Sequence, residues 1–379
     1  MEKRLQSVLI YRDHLLAKSE FAFLKRQYVG FEQLTRHWVG SKIVDGLKES
    51  GIDPNLIGGP GPAGLLKKTL FKQFGKVPRE PNLAALNPVV VHAQFGVSGA
   101  LALPLAKHLR LPLVVTFHGG DAFKEKHYQR RIIPTIFQRR WVELKDYASL
   151  FVCVSDRVRH KLVERGVSPK KLETIHIGTE LPPAVGARAP KHFAFVGRFV
   201  DKKGIDVLIA AIRRLRANQV STPFVLAGDG PLLGAMKEKA DGLSNVEFTG
   251  WIGTDRLQAL LRETIALVVP SVIGKGGDAE GLPSVVGEAM AMGVPVVGSD
   301  AASIGEVANG SAAVGIVRAG DVAGLAAALA KIAAAPDLWP QMGVEAAAIA
   351  QANLNAVTQS RKLERRLIAV AEASGTFKA

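Results

Sequence analysis

Pro270-Ser-Val-Ile-Gly-Lys-Gly-Gly-Asp-Ala-Glu280-Gly-Leu-Pro-Ser-Val-Val-Gly-Glu288-Ala-Met-Ala-Met-Gly-Val-Pro-Val-Val-Gly298 is the stretch on which the reading of this sequence turns. An apolar, β-branched run (265–271) leads into it; a glycine-rich loop follows, then a helix-like segment that stops at Gly293, then a second apolar run (295–300). Strand, loop, helix and strand in that order form one repeat of a parallel sheet wrapped by helices. Such sheets bind ligands beyond the carboxyl ends of their strands, where this loop lies. Pro283 suits the first turn of a helix, and the residues after it carry no bulky charge, so the free N–H groups there can receive a phosphate. Glu280 falls in the loop and Glu288 about one turn into the helix. A carboxylate accepts two hydrogen bonds from a vicinal diol, so the pair can hold a sugar and a ribose at opposite ends of a diphosphate.

Outward from this stretch the same rhythm recurs. Candidate strands in the first half are 7–13, 89–95, 113–119, 150–156 and 172–178; in the second half they are 192–198, 223–229, 245–251, 265–271, 295–300 and 313–317. Between the two sets the prolines, glycine and alanines of Leu181–Pro190 break any regular element and mark a boundary. The segment 65–76 has apolar residues at 65, 66, 70, 71 and 74, which is helical spacing with a lysine face. Residues 360–373 read as a separate basic helix.

The 379 residues are 47% apolar, enough for two ordinary domains. No stretch reaches the roughly 18 apolar residues of a membrane span, and the start of the chain does not read as a signal peptide. The expected location is therefore cytoplasmic. The single cysteine, Cys153, excludes an internal disulfide and a thiolate metal cluster, and its apolar run reads as core. The net charge of +15 is unevenly placed: residues 1–185 hold 29 Lys and Arg against 16 Asp and Glu, residues 186–350 hold 15 against 16, and residues 351–379 hold 5 against 2. Such asymmetry points to an anionic partner of the first half, whether a membrane surface, a lipid phosphate or a polyanion. Nucleic acid fits poorly, because the basic residues lack interleaved aromatics and only 6% of the chain is aromatic.

A second basic motif follows the first strand of the second half: Phe195-Val-Gly-Arg198-Phe-Val-Asp-Lys-Lys203-Gly204. Gly197 permits close approach, while Arg198 and Lys203 offer a guanidinium fork and an ammonium to two phosphates. In the first half, Val114-Val-Thr-Phe-His118-Gly-Gly-Asp121 ends a strand in a polar, glycine-hinged loop.

Together these motifs resemble retaining glycosyltransferase family 4. Glu280 and Glu288, set in Glu-Gly-Leu-Pro and Glu-Ala-Met-Ala, look like its paired-glutamate signature; Arg198 and Lys203 stand at the offset of its diphosphate-binding pair; His118 resembles the histidine of its His-Gly-x-Asp element. The resemblance covers roughly residues 89–320 and is nearest in style to the bacterial exopolysaccharide and lipopolysaccharide branch, of the colanic-acid type. It implies an α/β GT-B fold with two Rossmann-like domains whose parallel sheets face across a cleft. Residues 1–182 would bind the acceptor, 183–357 the nucleotide sugar, and 358–379 would form a helix crossing back to the first domain.

The implied reaction moves a hexose, with retention, from a UDP-, GDP- or ADP-sugar to a saccharide or lipid-linked saccharide on the inner face of the plasma membrane. His118, Glu280, Arg198 and Lys203 would serve catalysis. Gly197, Arg198, Lys203, Glu280, Gly281, Leu282, Pro283 and Glu288 would line the donor. No further cofactor is expected, and no metal: Asp278-Ala-Glu280 is the nearest approach to an Asp-x-Asp pair.

Two departures stand out. Tyr11–Phe21, with Ser19-Glu20, replaces the family's Gly-Gly loop after the first strand, and Ile304-Gly305-Glu306 replaces its Ile-Pro-Glu. A Walker loop is absent, as is a Gly-x-Gly-x-x-Gly turn after the first strand, so kinase and dehydrogenase readings lose support. The rival readings are a nucleotide-sugar epimerase of the same architecture and an inactive binding protein.

Overall fold

The computed structural model describes residues 5–15, 23–43, 52–129, 131–182, 188–308 and 310–377. Ser19, Glu20, Arg130 and part of the boundary stretch (183–187) lie outside them. The chain divides into two compact units, one made of residues 1–177 with 356–379 and the other of 178–355.

The first unit is built on β1 (Ser7–Tyr11), β2 (Thr35–Gly40), β3 (Asn55–Leu56), β4 (Pro88–Gln94), β5 (Leu113–Phe117), β6 (Leu150–Cys153) and β7 (Leu172–Thr174). They form one sheet in the order β3-β2-β1-β4-β5-β6-β7, and every pairing is parallel. β1, β5 and β6 are buried along their whole length. That is why their sequences are apolar apart from the buried hydroxyls of Ser7 and Thr116. β2 and β3 escape a reading of apolar runs: Thr35-Arg-His-Trp-Val-Gly40 is buried only from Trp38 onward, and β3 is a two-residue edge strand. Cys153 is buried in β6, and burial pushes its thiol far above its ordinary value.

The C-terminal helix Ala356–Ala373 belongs to this unit. Leu363, Leu367, Ile368 and Ala371 enter a core shared with Ile10, Tyr28 and Trp38. Glu364, buried on the same helix, accepts the backbone N–H groups of Glu32, Gln33 and Leu34 at 2.8–3.0 Å. One carboxylate thus satisfies three donors that no strand or helix would otherwise pair.

The second unit is built on β8 (His192–Val196), β9 (Phe224–Ala227), β10 (Val246–Gly250), β11 (Thr264–Val269), β12 (Val296–Ser299) and β13 (Val314–Val317). Their order is β10-β9-β8-β11-β12-β13, again all parallel. Helix Ile205–Ala217 packs Leu208, Ile209, Ile212 and Leu215 against Leu325 and Leu329 of helix Val322–Ala333. In both sheets the first strand lies inside and the strand order reverses beside it, which places a ligand crevice at its carboxyl end. Among the described residues no single helix is long and apolar enough to cross a membrane.

Candidate active site

The motif residues of the second unit meet at the carboxyl ends of β8, β9 and β11, because close backbone contacts stitch three loops together. Gly197 N–H donates to Ala227 O at 3.0 Å, and Phe199 N–H donates to Asp229 O at 2.9 Å. Gly228 has φ 141°, and a Cβ there would lie 1.9 Å from Gly197 O. Gly204, with φ 63°, ends the single turn Asp201–Lys203, and its Cβ would lie 1.9 Å from Pro270 O. Only a residue without a side chain tolerates both the positive φ and the approach. Val272 N–H donates to Lys202 O at 2.9 Å, fixing the lysine turn against the loop that carries Glu280.

The side chains then converge. Lys203 Nζ lies 3.1 Å from Glu280 Oε2, Lys202 Nζ lies 3.0 Å from Glu280 Oε1, and Lys202 also reaches Asp278 Oδ1 at 3.3 Å. Burial pulls the Glu280 carboxyl up, but the Lys203 and Lys202 ammoniums overcome it and hold it below its ordinary value. Burial likewise pulls Lys202 down, and Glu280 with Asp278 more than reverses this, raising it. The residue-by-residue reading placed Lys203 on phosphate and Glu280 on sugar; the fold seats them against each other. Lys202, which completes the cluster with Asp278, was not singled out from sequence, and Asp278 entered there only as the nearest approach to an Asp-x-Asp pair. The doubled lysine at 202–203 was the available signal, but neither its partner nor its direction is visible in one dimension.

Arg198 is exposed and makes no side-chain hydrogen bond or ion pair among the described residues. Gly281 is buried, and Leu282 packs on the core beneath. Pro283 caps the helix Ser284–Ala291 with φ −63° and ψ 132°, one residue ahead of the first-turn position expected, since its ψ is extended. No side chain caps this helix and its first turn holds no acid, so its N-terminal dipole is left for another anion. Glu288 is half-buried one turn after the exposed Ser284. Near the same loop, Ser303 N–H donates to Gly281 O at 3.2 Å. The buried hydroxyls of Ser271 and Ser303 find no partner among the described residues.

His118 lies in the first unit, at the end of β5. Asp121 builds its loop by accepting N–H from Gly96 at 3.0 Å, from His118 at 2.9 Å and from Gly119 at 3.0 Å. His118 Nε2 is 2.7 Å from Gln94 Oε1, while the Gln94 amide nitrogen donates to Tyr28 Oη. Tyr28 in turn bonds His92 Nδ1 at 2.8 Å, and His92 Nε2 bonds Thr116 Oγ1 at 2.7 Å. An amide oxygen only accepts, so His118 carries its proton on Nε2 and leaves Nδ1 as an acceptor. That Nδ1 is buried without a partner among the described residues. Burial, with Arg12 and His92 nearby, lowers the His118 pKa to about 3, and burial alone lowers His92 to about 3.

Both histidines are thus held neutral by the fold, whereas an unfolded chain protonates them near 6.5. Their contribution to stability is complete above pH 6.5 and is lost as pH falls from there toward 3. Between pH 6.5 and 5 the expected slope is up to about 1.4 kcal/mol per pH unit for His92, and less for the partly exposed His118. Denaturant midpoints across this range should fall with pH in the native chain and fall less in His92→Gln; identical slopes would refute the neutral pair.

Gly59-Pro-Gly-Pro-Ala-Gly64 has the letter spacing of a dinucleotide turn and opens the helix Gly61–Phe74. It follows the edge strand β3, however, and its two prolines remove two of the N–H donors a pyrophosphate needs.

Residues 45–181 match the family profile Glycosyltransferase Family 4, and residues 190–335 match Glycosyl transferases group 1. The chain is 27% identical over 279 residues to the putative colanic acid biosynthesis glycosyltransferase WcaL of Salmonella typhimurium, covering 69% of this chain and 67% of that one. It is 30% identical over 248 residues to the amylovoran biosynthesis glycosyltransferase AmsK of Erwinia amylovora, covering 63% of this chain and 60% of that one. Among solved structures, Anabaena Alr3699/HepE in complex with UDP and glucose superposes with a TM-score of 0.73 at 17% identity, over 95% of this chain and 99% of that one.

Proposed function

We propose, from the premise that this chain belongs to the GT-B glycosyltransferases through its family 4 and group 1 domains, that it transfers a hexose from a nucleotide-diphosphate sugar, with retention, in bacterial surface-polysaccharide synthesis. The observation that carries this reading is the Lys202–Glu280–Lys203 cluster beside an uncapped helix N-terminus. A donor needs both parts. Its diphosphate requires cationic and N–H donors, and its sugar requires an acceptor carboxylate. As the donor enters, Glu280 would accept sugar hydroxyls while Lys203 and Arg198 take the phosphate oxygens, and Glu288 would accept the ribose diol.

Reaction breaks the bond from the anomeric carbon to the phosphate oxygen. Negative charge grows on the leaving diphosphate, where Lys203, Arg198 and the helix N–H groups stabilise it. The acceptor oxygen attacks from the same face and passes its proton to the departing phosphate, so the configuration is kept and no side chain becomes the nucleophile. His118 would serve as a neutral hydrogen-bond acceptor through Nδ1.

The names of the relatives, colanic acid and amylovoran synthesis, support a saccharide or lipid-linked saccharide acceptor at the inner face of the plasma membrane. The UDP and glucose named for Alr3699/HepE make UDP-glucose the first donor to try. In a thermal-shift panel of UDP-, GDP- and ADP-sugars, one base series should raise the unfolding temperature. At 100-fold excess over Kd the stabilisation is about 2.7 kcal/mol. No shift with any series overturns the reading, and conversion of the donor sugar without transfer would favour an epimerase.

A further inference from the structure

Lys202 bonds both acids of the donor-site cluster, whereas Lys203 bonds one. Asp278 has extended backbone, φ −62° and ψ 120°, and Ala279 is buried, so the carboxylates of Asp278 and Glu280 leave the loop on the same side. Lys202 Nζ lies between them, 3.3 Å from Asp278 Oδ1 and 3.0 Å from Glu280 Oε1. Its backbone is tied to the same loop. The Lys202 carbonyl accepts the Val272 N–H at 2.9 Å, and the Lys202 Cβ lies 3.2 Å from where a Cβ on Gly274 would stand.

Lys203 runs along a different surface. Its Cε and Cδ lie 3.5 and 3.7 Å from the Cβ position of Gly197, so its stem follows the carboxyl end of β8 into the ligand crevice. Arg198 follows the same strand end. Among the described residues Glu280, through Oε2 at 3.1 Å, is the one acid that Lys203 meets. The two lysines thus hold different oxygens of one carboxylate, and the less anchored of them stands where a diphosphate would enter.

An incoming diphosphate draws Lys203 off and frees Glu280 Oε2 to accept a sugar hydroxyl. Glu280, only 11% exposed, is then an anion beside a second anion, in a place where water screens their repulsion little. In the empty cluster two ammoniums balance two carboxylates. Once Lys203 has turned to phosphate, Glu280 needs a cation that does not follow it. We propose that Lys202 is that positioning residue: anchored by Asp278, it stays on Glu280 Oε1 through donor binding and transfer, so that Glu280 remains compensated and offers Oε2 to the sugar. The proposal rests on the transferase reading and adds to it a residue that acts through Glu280 without touching the donor. Burial pulls the Lys202 pKa down, but Glu280 and Asp278 raise it above its ordinary value, as suits an ammonium that is to keep its charge in the loaded site.

The test is a double-mutant cycle on donor affinity. The purified full chain is titrated with UDP-glucose, GDP-glucose and ADP-glucose, and the series that binds is followed through the variants. Lys202→Met should weaken that binding by about 10-fold or more. Lys202→Gln keeps a hydrogen-bond donor and loses the charge, and it should weaken binding nearly as much. In both variants Lys203 still compensates Glu280 in the empty site, so the fold is kept. In a Glu280→Gln background no carboxylate needs a counter-ion there, and adding Lys202→Met should cost less than about 2-fold more. A lysine that merely braces the loop would carry the same loss into both backgrounds. Equal losses in the two backgrounds, or native-like affinity in Lys202→Met or Lys202→Gln, overturn the proposal and leave the transferase reading standing. Failure of the native chain to bind any of the three nucleotide sugars overturns the transferase reading, and this proposal with it.

Discussion

Lys203→Ala is expected to lower turnover by roughly 10²- to 10³-fold, the usual cost of deleting one preorganised donor that stabilises developing negative charge. Its ammonium lies 3.1 Å from Glu280 and is 15% exposed, so it acts in a site where water screens little. The fold should survive, because Glu280 keeps Lys202 at 3.0 Å and is not left as an uncompensated buried charge. Without Lys203 the Glu280 carboxyl should rise from its lowered value toward the ordinary one. Release of nucleoside diphosphate in the presence of acceptor, measured beside the unfolding temperature, separates the two effects. Glu280→Ala should lose turnover comparably, for a different reason: it removes the carboxylate proposed to accept the sugar hydroxyls, leaving Lys203 without its acid and Lys202 with Asp278 alone. Near-native turnover in either folded variant would sink the site assignment.

Gly228→Ala is expected to be among the most damaging small substitutions in the second unit. The new methyl would lie 1.9 Å from the carbonyl oxygen of Gly197, and φ 141° is a conformation that alanine avoids. Backbone strain of about 1–3 kcal/mol and overpacking of about 1–3 kcal/mol act together, because the neighbour is main chain and cannot swing away. The displaced Gly197 would carry Arg198 with it, so donor affinity should fall along with stability. Gly234→Ala makes the control: this glycine lies in helix Leu233–Lys239 with nothing within 4 Å of its Cβ position. There alanine should stabilise by about 0.4–1 kcal/mol. Denaturant unfolding of the two variants reads the contrast, and equal midpoints would contradict the close contact of the β8 and β9 loops.

Much of the architecture is legible in one dimension because parallel strands are buried on both faces, and unbroken apolar runs such as Leu150–Cys153 betray them. Thr35–Gly40 is not legible in this way: its first three residues are exposed or half-buried, and its place beside β1 is settled by pairing, which leaves no local mark. The end of the chain divides similarly. A basic helix near 360–373 follows from composition, but nothing in those residues announces that Glu364 accepts three N–H groups from residues 32–34.

The site divides along the same line. Spacing within a segment determines which residues share a turn, so the sequence by itself placed Glu280 in a loop and Glu288 on a helix. It also put Arg198 and Lys203 after the same strand. Which of these touch is a matter of loops separated by 77 positions along the chain, and only the tertiary structure decided that Lys203 and Glu280 face each other and that Lys202 joins them. Likewise the sequence showed a histidine at a strand end, while its tautomer was decided by Gln94, Tyr28 and His92, which reach it from other strands and loops. The physical reason is common to all these cases. Backbone periodicity is a local property carried by each segment, whereas the proton and charge state of a side chain depends on whatever the fold packs against it.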